Sequence, residues 1–393
     1  MKITTVELLK LKTTHPSQGT LICCVMDTDE GIRGFGEFNM GYGVGAEATL
    51  GMAKELSQMI IGQNPMNTEA IWEYLYRACW WGLKGGAIFF SAMGGLDMAM
   101  WDIKGKALNT PVYNLLGGKV NNSLRAYASQ IQYGWDTSNK RPLKQPEEFV
   151  EAALMAREQG FDCLKVDPIY YDEEGKPSPI CFFEYLGKER MKMGYKRVEA
   201  IRNAVGDTME IICEMHCLTS TDDAIQFANM IAPLNIMLVE EPVSPENPEL
   251  LRLVRDKVPM PIAFGERLYT RWDYRPFFEN RSMDMIQPDL SNSGGFSEVK
   301  KICDMAHIYD IRVQAHAAGG PLNTAASLHL EAAVPNFMIH ETHIRSLLDY
   351  TRTLCKYDYL PVNGKYTAPD LPGIGQELSD QAIEEATIKI QVK

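Results

Sequence analysis

The chain has 393 residues, of which 45% are apolar and 23% charged, a balance that indicates folded domains with a sizeable core and argues against a disordered chain. The net charge is −12, from 39 Lys and Arg against 51 Asp and Glu, so a broad basic surface for nucleic acid is not expected. Any anion-binding site must therefore carry its own local positive charge, from a metal or from buried lysines.

The amino terminus lacks the apolar core of a signal peptide, and no stretch reaches the roughly 18 apolar residues of a membrane span. Nine cysteines, an odd number without a CxxC pair, are scattered through apolar runs. This distribution is typical of core thiols rather than of a disulfide framework or a zinc cluster. We therefore expect a cytoplasmic protein with neither a membrane nor a nucleic-acid partner.

The first 120 residues predict a small α+β domain. Residues 1–40 are rich in strand-forming runs, with a turn predicted at Asp29-Glu30-Gly31. In residues 46–116 the apolar side chains instead recur at intervals of three and four residues, as they do in amphipathic helices. Gly117-Gly118 ends the last of these helices, so we expect the first domain to cover residues 1–120.

Residues 121–350 predict a barrel of strands and helices. Strand-like runs alternate with helical patterns, and the strands end near eight positions: 128, 166, 215, 240, 265, 288, 315 and 340. Eight such strands are what a (β/α)8-type barrel requires, with a doubly wound parallel sheet as the competing architecture. The segment between the second and third strands is about twice as long as the other connecting segments. The additional residues form a loop near 170–194 that follows the carboxyl end of the second strand, and this loop is a candidate lid or specificity segment.

Three glutamates end three successive predicted strands. Glu214, Glu240 and Glu266 are spaced 26 residues apart, about one strand–helix unit, so their carboxylates are expected at one height on adjacent strands. Convergent carboxylates resist ionisation unless a cation lies between them, and oxygen ligands favour Mg²⁺ or else Mn²⁺. The alternative is three surface acids attracted by helix dipoles. Glu241 points the opposite way on its strand and is expected to be structural.

Further strand ends carry a candidate acid–base pair. Asp289 follows Glu266 by 23 residues, and His316 follows Asp289 by 27. A histidine oriented by a carboxylate on the neighbouring strand is a base of raised basicity, although a core histidine is the simpler alternative. Glu341 comes 25 residues later and is expected at the same level.

The period of two along a strand adds two more candidates. Lys165 and Asp167 share one face of the second strand, and Glu214 and His216 share one face of the third. We therefore expect Lys165 to project into the site and His216 to stand beside a metal ligand. The alternatives are an internal ion pair between Lys165 and Asp167 and a solvated loop position for His216.

Two longer stretches carry a family resemblance. AMGGLDMAMWDIKGKALNTPVYNLLGG at 92–118 resembles the signature that precedes the barrel in the mandelate racemase subgroup of the enolase superfamily. PDLPGIGQEL at 369–378 resembles the subgroup's closing segment. The resemblance spans nearly the whole chain. It implies a (β/α)7β modified TIM barrel over residues 121–350 and an amino-terminal capping domain that the carboxyl-terminal segment 351–393 completes.

The same resemblance implies an Mg²⁺ cofactor and a small carboxylate substrate. It identifies the three strand-end glutamates with the metal ligands and Asp289 and His316 with the catalytic dyad. It also matches Glu341 to the acid that hydrogen-bonds the intermediate. The superfamily uses a Lys or His base with one or two Mg²⁺ ions to stabilise an enediolate. A symmetric homo-oligomer is a further expectation from the family.

Two departures from the subgroup's pattern refine the expectation. Racemases carry a Lys-x-Lys pair on the second strand, whereas this chain has Lys165-Val166-Asp167, so deprotonation from two faces is disfavoured. The first metal-ligand position holds Glu214 where Asp is commoner. His216, two residues later, matches the leaving-group acid of acid-sugar dehydratases similar to galactonate and gluconate dehydratase.

The sequence thus predicts a hydro-lyase that converts a sugar acid, an aldonate such as galactonate or gluconate, into a 2-keto-3-deoxy acid. His316 is the expected C2 base and His216 the general acid. The alternatives are an epimerase, racemase or cycloisomerase that uses the same enolate, and a non-catalytic barrel that binds a sugar acid or a protein. Besides Asp167, candidate substrate contacts lie in two first-domain loops, at His15 and at Asn39.

Overall fold

The computed structural model describes residues 1–13, 20–39, 44–138, 140–177 and 186–393. Its amino-terminal part is a four-stranded antiparallel sheet in the order β13-β1-β2-β3. Three strands come from the start of the chain and one from its end: β1 (Ile3–Lys10), β2 (Ile22–Thr28), β3 (Arg33–Phe38) and β13 (Ile388–Val392). The carboxyl-terminal segment therefore completes the sheet of the capping domain, as the resemblance implied.

Two helices pack against this sheet, α1 (Ala46–Ile60) and α3 (Gly86–Ala107), while α2 (Thr68–Ala78) and the short α4 (Val112–Leu115) pack against other helices. Gly34 and Gly36 on β3 allow α3 to lie directly against the sheet. A side chain at Gly34 would collide with the carbonyl oxygen of Ala99, and one at Gly36 with that of Gly95. Glycine is therefore required here by the close approach of two backbones rather than by a turn.

The second sheet of the described chain has eight parallel strands in the order β10-β9-β8-β7-β6-β5-β4-β11, and a ninth short strand, β12 (Lys365–Tyr366), pairs antiparallel with β4. A parallel bridge between Val313 and Phe337 brings the segment before β11 beside β10 and closes the sheet. The strands are β4 (Leu124–Ser129), β5 (Cys163–Val166), β6 (Glu210–Glu214), β7 (Leu238–Glu240), β8 (Ile262–Phe264), β9 (Met285–Ile286), β10 (Arg312–Val313) and β11 (His340–His343). Closure rules out the doubly wound alternative.

One helix lies between each pair of consecutive barrel strands, which gives the predicted (β/α)7β order. The helices are α5 (Pro146–Glu158), α6 (Lys188–Val205), α7 (Thr221–Ile231), α8 (Pro248–Lys257), α9 (Arg271–Glu279), α10 (Phe296–Ile308) and α11 (Pro321–Ala333). After β11 come α12 (Asp349–Arg352), β12 (Lys365–Tyr366) and α13 (Asp380–Glu384). No helix among the described residues has both the length and the hydropathy to cross a membrane.

The barrel interior explains why charged side chains gather at one end. A layer of mostly apolar side chains fills the barrel, drawn from seven strand segments: Tyr127, Cys163, Ile212, Leu238, Ala263, Met285 and Ile339. Because side chains alternate along a strand, the inward residues two positions later lie one layer closer to the carboxyl ends. On β5, β6 and β7 these residues are Lys165, Glu214 and Glu240.

The capping domain packs over this end of the barrel. Trp72 Nε1 donates to the carbonyl oxygen of Gly294 at 2.9 Å, and Ser297 Oγ donates to buried Asp97 at 2.6 Å. These contacts join helices of the first domain to the loop after β9 and to the start of α10, so the cap is held in place over the strand ends. The division into residues 1–120, 121–350 and 351–393 remains a proposal.

Candidate active site

Three glutamates meet at the carboxyl ends of β6, β7 and β8. Glu214 and Glu240 are direct neighbours in the register of β6 and β7. Glu266 lies two residues beyond the end of β8. The residue between, Gly265, has a φ of 136°, which changes the direction of the chain before Glu266. One carboxylate oxygen from each glutamate lies within 4.8 Å of the other two.

Glu214 and Glu240 are buried, and each has a carboxylate oxygen without a hydrogen-bond partner among the described residues. Glu240 is 0% exposed, and its Oε2 has no hydrogen-bond partner among the described residues. Burial and the neighbouring Glu214 carboxylate raise the pKa of Glu240 well above its ordinary value. A divalent cation would supply both the missing partner and the missing positive charge, so the donor set fits a hard metal ion.

Lys165 on β5 is the positive charge of this cluster. Its Nζ lies 3.1 Å from Glu214 Oε2 and 3.1 Å from Glu341 Oε1, and it also contacts Glu240 Oε1. Burial opposes the charge of Lys165, but the carboxylates outweigh it and raise the lysine's pKa. The alternative of an internal pair with Asp167 is wrong, since the lysine is engaged by three glutamates instead.

Glu341, on β11, is fixed by neutral donors as well as by Lys165. Ser129 Oγ donates to its Oε1 at 2.6 Å, and the backbone N–H of Ala317 donates to its Oε2 at 2.9 Å. Although burial disfavours the charge, Lys165 and then His316 lower the pKa of Glu341 below its ordinary value. The carboxylate is therefore ionised and held rigidly beside the lysine.

Asp289 and His316 form a hydrogen-bonded pair after β9 and β10. His316 Nδ1 lies 2.7 Å from Asp289 Oδ2, and its Nε2 lies 3.3 Å from Glu266 Oε2. Asp289 is itself held by the backbone N–H of Ser291 at 2.8 Å and by the side-chain amide of Asn323 at 3.2 Å. Burial alone would lower the pKa of His316, but Glu266 and Asp289 raise it to about 9.

His216 forms a second histidine–aspartate pair on the opposite side of Glu266. Its Nδ1 lies 2.6 Å from Asp167 Oδ2, and its Nε2 lies 3.9 Å from Glu214 Oε2. The prediction that His216 extends the strand face of Glu214 is wrong, because β6 ends at Glu214 and His216 has a φ of 44°. A tight turn brings the ring back, with the backbone N–H of His216 donating to Glu214 Oε1 at 2.8 Å.

Asp167 was expected to contact substrate, yet its described contacts are within the protein. Its Oδ1 accepts from the backbone N–H groups of Ile169 and Tyr170, at 3.0 and 2.8 Å, while Oδ2 faces His216. The carboxylate is 1% exposed. Its position is that of an orienting group for the histidine, which strand periodicity did not reveal.

The remaining predicted residues have mixed outcomes. Asn39 lines the cavity, and its side-chain amide donates to Asp289 Oδ2 at 3.1 Å. His15 lies outside the described residues, as does part of the 170–194 loop. Glu241 is buried with a φ of 45° and contacts Arg267, which supports a structural reading.

Sequence reasoning missed Glu37, at the end of β3. This carboxylate is 1% exposed and accepts from the backbone N–H groups of Gly320 and Asn323, where α11 begins. Burial raises its pKa to about 7 in spite of these donors. Glu37 thus orders the loop between His316 and α11 from the capping domain. The one sequence signal for such a role was its position just before a glycine-rich loop.

A cavity of about 1110 Å³ lies between the cap and the strand ends. His216, Glu266 and His316 line it, so the two histidines face one space from beyond the ends of β6 and β10. Capping-domain residues on its wall include Asn39, Lys84 and Phe90. The arrangement can hold a metal-bound carboxylate ligand between a base and an acid.

The chain matches two family models. The mandelate racemase / muconate lactonizing enzyme amino-terminal domain matches residues 3–117, and the enolase carboxyl-terminal domain-like model matches residues 148–382. A solved structure of an enolase superfamily member from Salmonella Typhimurium has a TM-score of 0.96 and 50% identity, and the match covers 100% of both chains.

Curated relatives at lower identity carry a named activity. The D-galactonate dehydratase of Pectobacterium atrosepticum is 32% identical over 368 residues, which cover 92% of this chain and 89% of the relative. The D-galactonate dehydratase of Xanthomonas axonopodis is 32% identical over 403 residues, covering 98% and 94%.

Proposed function

The chain belongs to the mandelate racemase and muconate lactonizing enzyme family of the enolase superfamily, and on that premise we propose that it is a hydro-lyase that dehydrates an acid sugar. The proposed reaction converts a 2,3-dihydroxy acid into a 2-keto-3-deoxy acid. The observation that carries the proposal is the pair of histidines, each with its own aspartate, facing one cavity on two sides of a carboxylate cluster.

Glu214, Glu240 and Glu266 would hold a divalent metal, for which we propose Mg²⁺. The orphaned oxygen of Glu240 and the all-oxygen donor set support this assignment. When bound, the metal supplies positive charge that fixes a substrate carboxylate and stabilises the charge that develops on it.

His316 would act as the base that removes the proton from C2. Asp289 holds Nδ1, so Nε2 is the nitrogen that points toward Glu266 and the cavity. The charge that moves onto the substrate carboxylate would be stabilised by the Lys165 ammonium, which is already in place and needs no reorganisation. Glu341 fixes that ammonium from the other side.

His216 would act as the acid that protonates the departing C3 hydroxyl. Asp167 holds Nδ1 of His216, which leaves Nε2 to carry the proton into the cavity. Asp167 also occupies the position where racemases have a second lysine. The chain therefore has no basic side chain at that position to act as a second base. This is why we favour dehydration over racemisation or epimerisation.

The test is an acid-sugar screen on the purified protein, with and without Mg²⁺, that follows keto-acid formation and, by NMR, the stereochemistry of recovered substrate. We expect a 2-keto-3-deoxy acid from at least one sugar acid and no product after chelation. A diastereomer of the substrate without keto acid would instead indicate an epimerase. Binding without any turnover would indicate a non-catalytic barrel.

A further inference from the structure

One wall of the cavity carries a positive charge that the proposed mechanism does not use. Lys140 lines the cavity beside Gln130, Tyr133 and His343, where β4 and β11 end. In the strand order, β4 and β11 lie across the closed barrel from β8 and β7, which carry two of the proposed metal ligands. The positive wall therefore faces the metal-ligand side from the far side of the cavity.

The position of Lys140 is fixed by its neighbours. The backbone N–H of Arg141 donates to the carbonyl oxygen of Tyr133 at 3.0 Å, and that of Leu143 donates to the carbonyl oxygen of Gln132 at 2.9 Å. The ammonium itself lies 4.9 Å from the ring centroid of Tyr133. The segment after β4 thus folds back and holds the lysine against the cavity.

Two positive side chains, Lys140 and Arg345, lie near each other at this wall. Within the described ranges, no carboxylate lies within 4.0 Å of the Lys140 ammonium. Burial and then the nearby charge of Arg345 lower its pKa to about 8. Arg345 is 1% exposed, and its charge also acts on buried Glu37.

His343 adds a neutral ring to the same wall. Its Nδ1 accepts from the backbone N–H of Arg345 at 3.1 Å, so its proton is on Nε2. Burial lowers the pKa of His343 well below its ordinary value, which keeps the ring neutral. The wall therefore presents the Lys140 ammonium beside a histidine ring that stays neutral.

From this geometry we infer that the cavity binds a substrate with a second anionic group, held by Lys140 at the end remote from the reacting carboxylate. The inference rests on the proposed function and narrows its substrate class to dianionic acid sugars. A terminal carboxylate, as in an aldaric acid, and a terminal phosphate share the required chemistry. Either anion would supply the negative partner that Lys140 lacks among the described residues, in a protein whose net charge of −12 would otherwise repel it.

The test compares sugar acids of one stereochemistry that differ only at the far end: gluconate, glucarate and 6-phosphogluconate, with the galactose series in parallel. We expect kcat/KM for a dianion to exceed that of the matching aldonate roughly 10- to 100-fold, as a charge-assisted contact implies. The diacid and phosphate arms show which terminal group is preferred. A wild-type preference for the aldonate overturns the inference.

Lys140→Met should raise KM for the preferred dianion by roughly tenfold or more, with a smaller change in kcat and little change for the aldonate. The matched control is Lys144→Met, which makes the same change four residues away on an exposed side chain outside the cavity lining. An equal loss for the dianion and the aldonate in Lys140→Met would contradict the inference and indicate a contact to a hydroxyl.

Calorimetric binding separates this inference from the proposed function. If no sugar acid is dehydrated, yet a dianion binds the wild type more tightly than its aldonate and Lys140→Met removes the difference, the inference stands and the dehydratase assignment falls. If keto acid forms but the terminal charge affects neither binding nor turnover, the dehydratase assignment stands and the inference falls. If no sugar acid binds, both fall.

Discussion

Replacing Lys165 with methionine tests the electrostatics of the carboxylate cluster directly. The lysine is 2% exposed and makes two ion pairs at 3.1 Å, with Glu214 and Glu341, besides its contact with Glu240. With an effective dielectric constant of about 20, Coulomb's law gives about 5 kcal/mol for each such pair. Desolvation offsets much of this, so we expect Lys165→Met to lower the free energy of unfolding by roughly 3–5 kcal/mol in metal-free protein.

The measurement is urea unfolding of wild type and variant, each with EDTA and with excess Mg²⁺. At about 100 times its dissociation constant, Mg²⁺ should stabilise the wild type by about 2.7 kcal/mol. It should stabilise Lys165→Met more, because the added cation replaces the lost one. The control is Lys300→Met, which removes an exposed pair with Asp304 and should cost about 0.5 kcal/mol with no effect of Mg²⁺.

Metal-free Lys165→Met that unfolds within about 1 kcal/mol of the wild type would refute the reasoning, since the carboxylates would then not depend on the lysine. Equal stabilisation of both proteins by Mg²⁺ would show that the metal ion and the lysine do not interact with the same carboxylates. Either result would remove the electrostatic basis of the proposed metal site.

Three further predictions concern the histidines. His216→Asn should lower keto-acid formation by roughly 10²-fold or more while retaining exchange of the C2 proton with deuterium, measured by NMR; unchanged turnover would exclude it as the acid. His316→Asn should abolish both turnover and exchange, and persisting exchange would identify another base. Burial lowers the pKa of His329 to about 4, below the 6.5 of an unfolded histidine, so the unfolded chain binds the proton first and stability is lost as pH falls from about 6.5 to 4. The loss should be about 3 kcal/mol in denaturation curves, and His329→Gln should flatten this part of the pH profile unless another group causes it.

Much of the site was encoded in local patterns of the sequence. The alternation of strands and helices predicted the eight-stranded barrel, because each unit has a length and an apolar period that depend only on nearby residues. Equal spacing then predicted that Glu214 and Glu240 would be neighbours, and the strand register confirms it. Period two likewise predicted that Lys165 faces inward, since β5 is regular through that residue.

The tertiary structure decided what happens beyond the strand ends. Once a chain leaves a strand, period two no longer applies, and single backbone angles set the direction of each side chain: Gly265 at a φ of 136° turns Glu266 inward, and His216 at 44° turns toward Asp167. The partner of Asp167 is His216, 49 residues away and beyond the end of another strand. Lys140, on a loop that folds back onto its own strand end, has no periodic signal at all. Such contacts depend on how distant segments pack, which no local pattern in the chain records.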